Sequence, residues 1–413
     1  MKPKTFSIVS LGCFRNSYDS DTIAERLIQR GYRLVPGSLG VHTLVVNTCG
    51  FIKEAKEESL QAIGEALSLK QQGKVHEVVV EGCLVARYKD TLKKHFPEVD
   101  VWGALQPFNN TYPLTRKSIP RHLGFLKISE GCANRCSYCA IPMIKGTLVS
   151  KPIEAVLREA SFLEREGVKE LTIIGQDISS WGKDRYQNRD LVDLLKQILR
   201  KTKKIPWIRL LYIHPRNLTD SLIDLIASED RICNYIDLPI QHINDRILKM
   251  MNRGTTKRQI IAMIKKIRRR IPDAVIRTSL IVGLPTEGAQ EFNELVDFVK
   301  DTQFERLGVF MYSREEGTPA YRYPQQVHHQ TKKKRFNTLM KMQRDISGEL
   351  NRRYLGRTLT VLIDEVQRGG SIARSQHSAY KIDGIVYVRG NLKPGTFYQA
   401  KITDAYEYDL VAQ

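Results

Sequence analysis

The residues best suited to do chemistry lie in the stretch Gly131-Cys132-Ala133-Asn134-Arg135-Cys136-Ser137-Tyr138-Cys139. Three thiols at C-x3-C-x2-C are too close together to be three independent core cysteines. Zinc wants four ligands and usually takes them in pairs, so the spacing fits it poorly. Three thiolates on one short loop suit a [4Fe–4S] cluster whose fourth iron is left open. An open iron can chelate the amino and carboxylate groups of S-adenosylmethionine and pass it one electron.

Three more cysteines stand in a different pattern. Phe6–Leu11 runs into Gly12-Cys13, Thr43–Val46 into Asn47-Thr48-Cys49, and Glu77–Val80 into Glu81-Gly82-Cys83. Each β-branched run reads as a buried parallel strand, and each precedes a helical pattern, over roughly Asp19–Arg30, Lys53–Lys70 and Ala86–His95. Strands alternating with helices make a parallel sheet whose ligands bind beyond the carboxyl ends of its strands. Cys13, Cys49 and Cys83 therefore emerge on one sheet edge, which makes them a second candidate iron–sulfur site, argued from placement. The alternative is three small buried thiols. Cys233 has no partner at ligand spacing and reads as structural.

Positioning the central triplet falls to the elements that follow a Pro- and Asn-rich linker at 107–120, with Pro107, Asn109, Asn110, Pro113 and Pro120. Phe125–Ser129 delivers the cysteine loop. Five further apolar runs follow: Leu171–Ile174, Ile208–Ile213, Tyr235–Ile240, Val275–Val282 and Leu307–Tyr312. Helical segments separate them, among them Ile153–Glu166, Leu191–Leu199, Thr219–Ala227, Lys257–Arg270 and Glu291–Asp301. Six strand–helix units predict a partial (β/α)6 barrel with its site at the strand carboxyl ends. Just past those ends stand Gln176, Asp177, His214, Gln241, His242 and Glu287.

From Gln325 to Arg357 a basic helix carries Lys332-Lys333-Lys334-Arg335 and Arg352-Arg353. Beyond it, Thr358–Ile363, Tyr380–Arg389, Phe397–Asp404 and Asp409–Ala412, with turns at Gly369-Gly370 and Pro394-Gly395, predict a small antiparallel β-barrel. The chain thus divides into an N-terminal α/β unit (1–106), a linker (107–120), a central barrel (121–348) and a C-terminal barrel (349–413). At 413 residues with 42% hydrophobic content it is a multidomain globular chain. A net charge of +20 suggests an acidic partner, most often nucleic acid or a ribonucleoprotein surface. Seven cysteines, an odd number, argue for a reducing, cytoplasmic setting. Ser10-Leu11-Gly12-Cys13 imitates a lipoprotein cleavage box, but the apolar run before it is too short for a signal-peptide core. No apolar stretch is long enough for a membrane helix.

The cysteine loop, with Tyr138 before its last cysteine, resembles the radical S-adenosylmethionine superfamily. Gly175-Gln176-Asp177 stands where that superfamily usually carries a motif contacting the methionine amino group, although the usual form ends in glutamate. Ser279-Leu280-Ile281-Val282-Gly283 resembles the strand lining ribose and adenine. The C-terminal barrel resembles the TRAM module of RNA-modifying enzymes. Together, spread N-terminal cysteines, radical core and TRAM barrel resemble the methylthiotransferase family over essentially the whole chain.

Within that family the chain is most similar to the ribosomal (RimO-like) branch. The similarity rests on Ser10–Cys13 with Asn16 and Asp19-Ser20, Leu126–Gly131, Asp237–His242 and Tyr312–Pro319. The tRNA (MiaB-like) branch tends to have Gln-Ser at Gln241-His242 and a less acidic loop near 315. Phe14-Arg15 in place of a usual Pro-Lys, and Leu284–Gly288 in place of Phe-Pro-Gly-Glu-Thr, bear on substrate or cofactor fit and leave the reaction type standing.

The resemblance implies methylthio transfer to the β-carbon of an aspartate in small-subunit ribosomal protein S-twelve; the alternative acceptor is carbon 2 of a tRNA adenosine. No side chain removes a proton from such an unactivated C–H bond at neutral pH, so a radical is needed. It further implies two [4Fe–4S] clusters. The one on Cys132, Cys136 and Cys139 would cleave S-adenosylmethionine reductively to a 5′-deoxyadenosyl radical. The one on Cys13, Cys49 and Cys83 would carry the sulfur that a second S-adenosylmethionine methylates. Cofactor contacts are expected from Tyr138, Gln176, Asp177, Ser279 and Gly283. The expected partners are the ribosome, RNA through the TRAM barrel, a reductant and a sulfur donor, with no membrane, for a monomeric chain. Competing readings are a one-cluster radical enzyme and a non-enzymatic RNA-binding protein.

Overall fold

The computed structural model describes residues 3–103, 112–114 and 119–413, so most of the expected linker lies outside the described residues. In the N-terminal unit, β1 (Thr5–Ser10), α1 (Phe14–Gln29), β2 (Arg33–Leu34), β3 (Val41–Thr48), α2 (Lys53–Gln71), β4 (Val75–Gly82), α3 (Cys83–His95) and β5 (Val101–Trp102) follow in order. The sheet runs β2-β1-β3-β4-β5, parallel throughout. Continuous apolar runs suit strands covered on both faces. Ser10 pairs with Asn47 and Asn47 with Glu81, so all three strands end at one level, and a cysteine follows each.

Two helices begin earlier than the periodicity predicts. Cys13 is the N-cap of α1 and Cys83 is the first residue of α3, so both thiols stand at helix N-termini. The partial positive charge there favours thiolate, an effect that burial opposes.

The central unit comprises β6 (Leu123–Lys127), the short pair β7 (Ser129–Glu130) and β8 (Val149–Ser150), and the single-turn α4 (Ile141–Lys145) between them. It continues through α5 (Ile153–Arg165), β9 (Glu170–Ile174), α6 (Leu191–Lys201), β10 (Trp207–Leu210), α7 (Asp220–Ser228), β11 (Ile232–Asp237), α8 (Asp245–Met250), α9 (Lys257–Arg270), β12 (Val275–Val282), α10 (Ala289–Thr302) and β13 (Arg306–Met311). Strands β6-β9-β10-β11-β12-β13 pair in sequence order and in parallel, forming an open, incomplete barrel as expected. Strand β10 stops at Leu210, short of the expected Ile213. Tyr212 turns into left-handed backbone (φ 66°) and its N–H donates to Asp237 Oδ2 at 2.9 Å.

Helix α11 (His329–Arg352) is the expected basic helix, but it is not uniformly solvated. Lys332 Nζ donates to the Tyr312 carbonyl at 2.8 Å, and buried Arg335 pairs with Glu287 at 2.7 Å. Only Lys333 and Lys334 of the run are fully exposed.

The C-terminal unit is a closed barrel, β14-β15-β16-β18-β17, from β14 (Thr358–Gln367), β15 (Gly370–Ser375), β16 (Val386–Arg389), β17 (Phe397–Ala405) and β18 (Leu410–Ala412). β15 was not expected, because Ser371, Arg374 and Ser375 break its apolar pattern. One of its pairings, β16 with β18, is parallel. Tyr380 lies outside the barrel's strands; its ring turns toward the central barrel and stacks on Phe14 at 6.3 Å, while Phe14 meets Phe125 at 4.8 Å. The buried ion pair Arg374–Glu170 (2.8 Å) fixes the small barrel to the amino end of the central strands, where Arg209 also holds Glu170 (2.6 Å). Cys233 is buried in that core, as expected.

Candidate active site

Backbone geometry brings Cys13, Cys49 and Cys83 together. A Cβ on Gly12 would lie 2.9 Å from Cys49 Sγ, and one on Gly50 would lie 3.1 Å from the Cys83 carbonyl carbon. Only glycine permits that approach, and Gly12 also takes the left-handed φ of 89° the turn needs. Asn16 Nδ2 donates to the carbonyls of Leu11 (2.6 Å) and Asn47 (3.1 Å), tying the first cysteine loop to the second. Ser59 Oγ accepts from Cys49 N at 2.9 Å.

The central triplet is held as firmly. Gly131 (φ 70°) admits no side chain, since a Cβ would sit 2.0 Å from the Thr147 carbonyl oxygen. Asn134 Nδ2 donates to Asp177 Oδ2 at 2.7 Å and approaches Cys132 Sγ at 3.5 Å. Arg253 Nη1 donates to Cys136 Sγ at 3.4 Å, and the same guanidinium reaches the Tyr138 hydroxyl and the Pro239 carbonyl.

The central triplet opens into a cavity of about 290 Å³, which is also lined by Arg15, Tyr138, Gln176, Asp177, His214 and Ser279. Gly283 is placed elsewhere: its N–H donates to Glu287 Oε2 at 2.8 Å, and Lys332 packs over its Cα. His242 and Glu287 are likewise buried behind the mouth. Asp177 has little acceptor capacity left, because Asn134, Ser179, Ser180, Asn217 and the His214 N–H all donate to it. It braces the cysteine loop against the barrel mouth.

Burial raises the pKa of Cys132 and Cys49 and pushes Cys83 up to about 11 and Cys139 up to about 12. Cys13 goes the other way. Burial opposes its ionisation, but the Arg15 charge and hydrogen bond and nearby backbone N–H groups outweigh it. Burial also works against the charge on Arg15, yet Cys13, Tyr212 and Cys83 hold its pKa above the ordinary value. Arg15 is also among the charges acting on Cys139. Arg15 follows Cys13 by two residues and lines the cavity with Cys132, Cys136 and Cys139, so one guanidinium is close to both triplets. Sequence reasoning treated Arg15 as a departure bearing on fit, and missed Arg253 and Asn134 altogether. The signal for Arg253 was slight: a lone arginine between Asn252 and Gly254, both at positive φ.

The residues fit the groups the cysteine pattern implies. All six thiols are free. Among the described residues no three His, Cys, Asp or Glu converge on a single ion, whereas a cluster spreads its thiolates, each on its own iron. Two buried polar atoms in the cavity lining, Gln176 Oε1 and His214 Nε2, find no partner among the described residues. His214 Nδ1 accepts from the Arg216 N–H, and burial lowers its pKa to about 3, so the neutral ring offers Nε2–H as a donor. One unpaired acceptor and one unpaired donor suit a ligand bearing an ammonium and a carboxylate.

Residues 126–299 match the Radical SAM superfamily, 5–104 the Uncharacterized protein family UPF0004, and 355–413 the TRAM domain. The chain is 40% identical to a Clostridioides difficile (strain 630) protein named ribosomal protein uS12 methylthiotransferase RimO, across 98% of this chain and 97% of that one. It is 41% identical to the protein of that name from Caldicellulosiruptor saccharolyticus, with 98% of each covered. A structure of the radical S-adenosylmethionine methyltransferase TsrM from Kitasatospora setae is similar in fold, with TM-score 0.56 and 14% identity over 89% of this chain and 79% of that one. The cobalamin-dependent radical enzyme OxsB is similar at TM-score 0.52 and 13% identity over 77% and 55%. At these identities the two structures speak to fold alone.

Proposed function

Because the chain belongs to the RimO family of radical S-adenosylmethionine methylthiotransferases, with a [4Fe–4S] cluster and S-adenosylmethionine as its cofactors, we propose that it adds a methylthio group to the β-carbon of an aspartate of ribosomal protein uS12. The observation that carries this reading is a cysteine triplet in each of two separate units, with Arg15, two residues past Cys13, lining the same cavity as Cys132, Cys136 and Cys139. Cys132, Cys136 and Cys139 would hold the cluster that acts on S-adenosylmethionine, and Cys13, Cys49 and Cys83 a second. When bound, these groups supply a deoxyadenosyl radical that takes the substrate hydrogen, and a sulfur that is methylated and transferred.

The residues contribute binding, orientation and dryness. Gln176 Oε1 is in position to accept from a methionine amino group, and His214 Nε2 to donate to a carboxylate. Tyr138 and Ser279 line the wall where nucleoside would lie. Asp177 acts through Asn134 by holding the cysteine loop. Gly283 acts through the Glu287 loop that its N–H holds. Glu315 draws the N-terminal unit onto the barrel, because it accepts from both Lys56 and Arg87. The unit boundaries near 106, 120 and 348 separate sulfur supply, radical generation and docking. Docking to the ribosome in the cytoplasm would use the TRAM barrel together with Lys333 and Lys334.

Two cysteine variants test the division of labour. Cys136→Ala should abolish deoxyadenosine formation, whereas Cys49→Ala should keep it and abolish methylthio transfer. Identical behaviour of the two refutes the assignment. Iron counts on the anaerobically reconstituted chain separate one cluster from two. Mass spectrometry of ribosomal proteins and digested tRNA, from cells with and without the chain, should show the methylthio mass on uS12; its appearance on tRNA instead overturns the acceptor.

A further inference from the structure

Arg15 deepens that reading by pointing to how the acceptor is chosen. Its guanidinium lines the cavity, its Cζ sits 4.5 Å from the centre of the Tyr212 ring, and Nη1 is anchored on the Gly175 carbonyl at 3.3 Å. Tyr212 is itself fixed by its backbone bond to Asp237. The plane of the fork is therefore set before any substrate arrives, which is the arrangement that favours bidentate carboxylate binding.

Other cations near the cavity are already committed. Lys127 and Lys145 share Asp19, and Lys56 and Arg87 share Glu315, while Arg253 turns both its Nη groups to Cys136, Tyr138 and Pro239 and keeps only a buried Nε, too little for a two-point grip. Among the described residues Arg15 has no carboxylate partner; its charge is answered by Cys13, Tyr212 and Cys83. The acidic groups of the lining are spoken for as well, Asp177 by its donors and Glu315 by its two cations.

Hydrogen removal and sulfur delivery act on one β-carbon, so that carbon must lie between the two triplets. Its carboxylate is one bond away. A carboxylate entering a dry cavity needs a fixed counter-charge or it does not enter. We propose that Arg15 is the acceptor clamp: it takes the carboxylate of the uS12 aspartate and so selects an acidic residue for methylthio transfer.

The inference rests on the function proposed above and is tested with the full chain carrying reconstituted clusters. The probes are purified uS12 with its acceptor aspartate and uS12 with asparagine there, compared by fluorescence anisotropy at fixed salt. Wild type should prefer the aspartate form by about 30-fold or more. Arg15→Gln should bind both forms alike, near the wild-type affinity for the asparagine form, and Arg15→Lys should recover part of the preference. Equal wild-type affinity for the two forms overturns the clamp without any variant, as does full discrimination in an iron-replete Arg15→Gln chain. If Arg15→Gln loses its iron, Arg15→Lys decides: reduced discrimination supports the clamp, and discrimination equal to wild type overturns it. If wild type adds no methylthio mass to uS12, the underlying reading fails; if it adds that mass without discriminating, only the clamp does.

Discussion

Removing the carboxylate of Glu315 should undock the N-terminal unit from the barrel. Oε2 accepts from Arg87 Nη1 at 2.6 Å and from Lys56 Nζ at 2.9 Å, and Oε1 accepts from Ser313 at 2.7 Å. The Glu315 side chain is 3% exposed, Arg87 5% and Lys56 22%. In Glu315→Ala the Arg87 charge is left buried without a counter-ion, a defect that costs about 3–5 kcal/mol in buried pairs. Lys56 can swing toward water, so its share is below about 1 kcal/mol. The variant should therefore lose about 3–4 kcal/mol, and Glu315→Gln, which keeps an acceptor, about half of that. Equilibrium urea unfolding measures the loss, and a cycle with Arg87→Met should give a coupling of about 2 kcal/mol. In the loaded enzyme, methylthio transfer should fall at least about tenfold while deoxyadenosine formation falls far less, because misplacement strikes the step that joins the two units. Additive costs in the cycle, or equal loss of both products, would refute this reasoning.

Gly131→Ala should empty the central cluster, since its Cβ would strike the Thr147 carbonyl; iron and sulfide near half the wild-type content is the expected result, and full content counts against the loop geometry. His214 and His242 have folded pKa values of about 3, burial being the main cause, against 6.5 when free. Below about pH 6.5 the unfolded chain binds their protons and the folded one does not, so their stability contribution is whole above that pH and is lost as pH falls toward 3. Each should cost about 1.4 kcal/mol per pH unit across that window, measurable as urea midpoints of the cluster-free chain at pH 7 and 5. His242→Gln should remove about half of the slope; an unchanged slope sinks the assignment. Replacing Lys333 and Lys334 by alanine should weaken ribosome binding and flatten its salt dependence without altering the urea midpoint, whereas Arg335→Ala should lower the midpoint by stranding buried Glu287.

What could be foreseen from the sequence was whatever is local or periodic. The C-x3-C-x2-C loop is a contiguous signal, and Cys13, Cys49 and Cys83 declare themselves because each ends a β-branched run at equal register. The groups that complete the site come from afar. Arg15 meets Gly175 across 160 residues and Arg253 meets Cys136 across 117, and no spacing rule links such positions. Asp177 was expected to contact a ligand because it ends a motif, but its oxygens are taken by donors on two other segments and by Ser179 and Ser180. Gly283 was expected at the cofactor because its strand leads there; the positive φ at the strand's end turns it toward α11 instead. The basic run could not be divided from sequence, since only tertiary packing decides that Lys332 and Arg335 turn inward.

The ring contacts Phe14–Phe125 and Phe14–Tyr380 bring residues near both ends of the chain onto the inner wall of the central barrel. Together with the Arg374–Glu170 pair they make the last sixty residues the floor of the central barrel. A chain cut short before them would expose apolar barrel wall and leave Glu170 with Arg209 as its one cation.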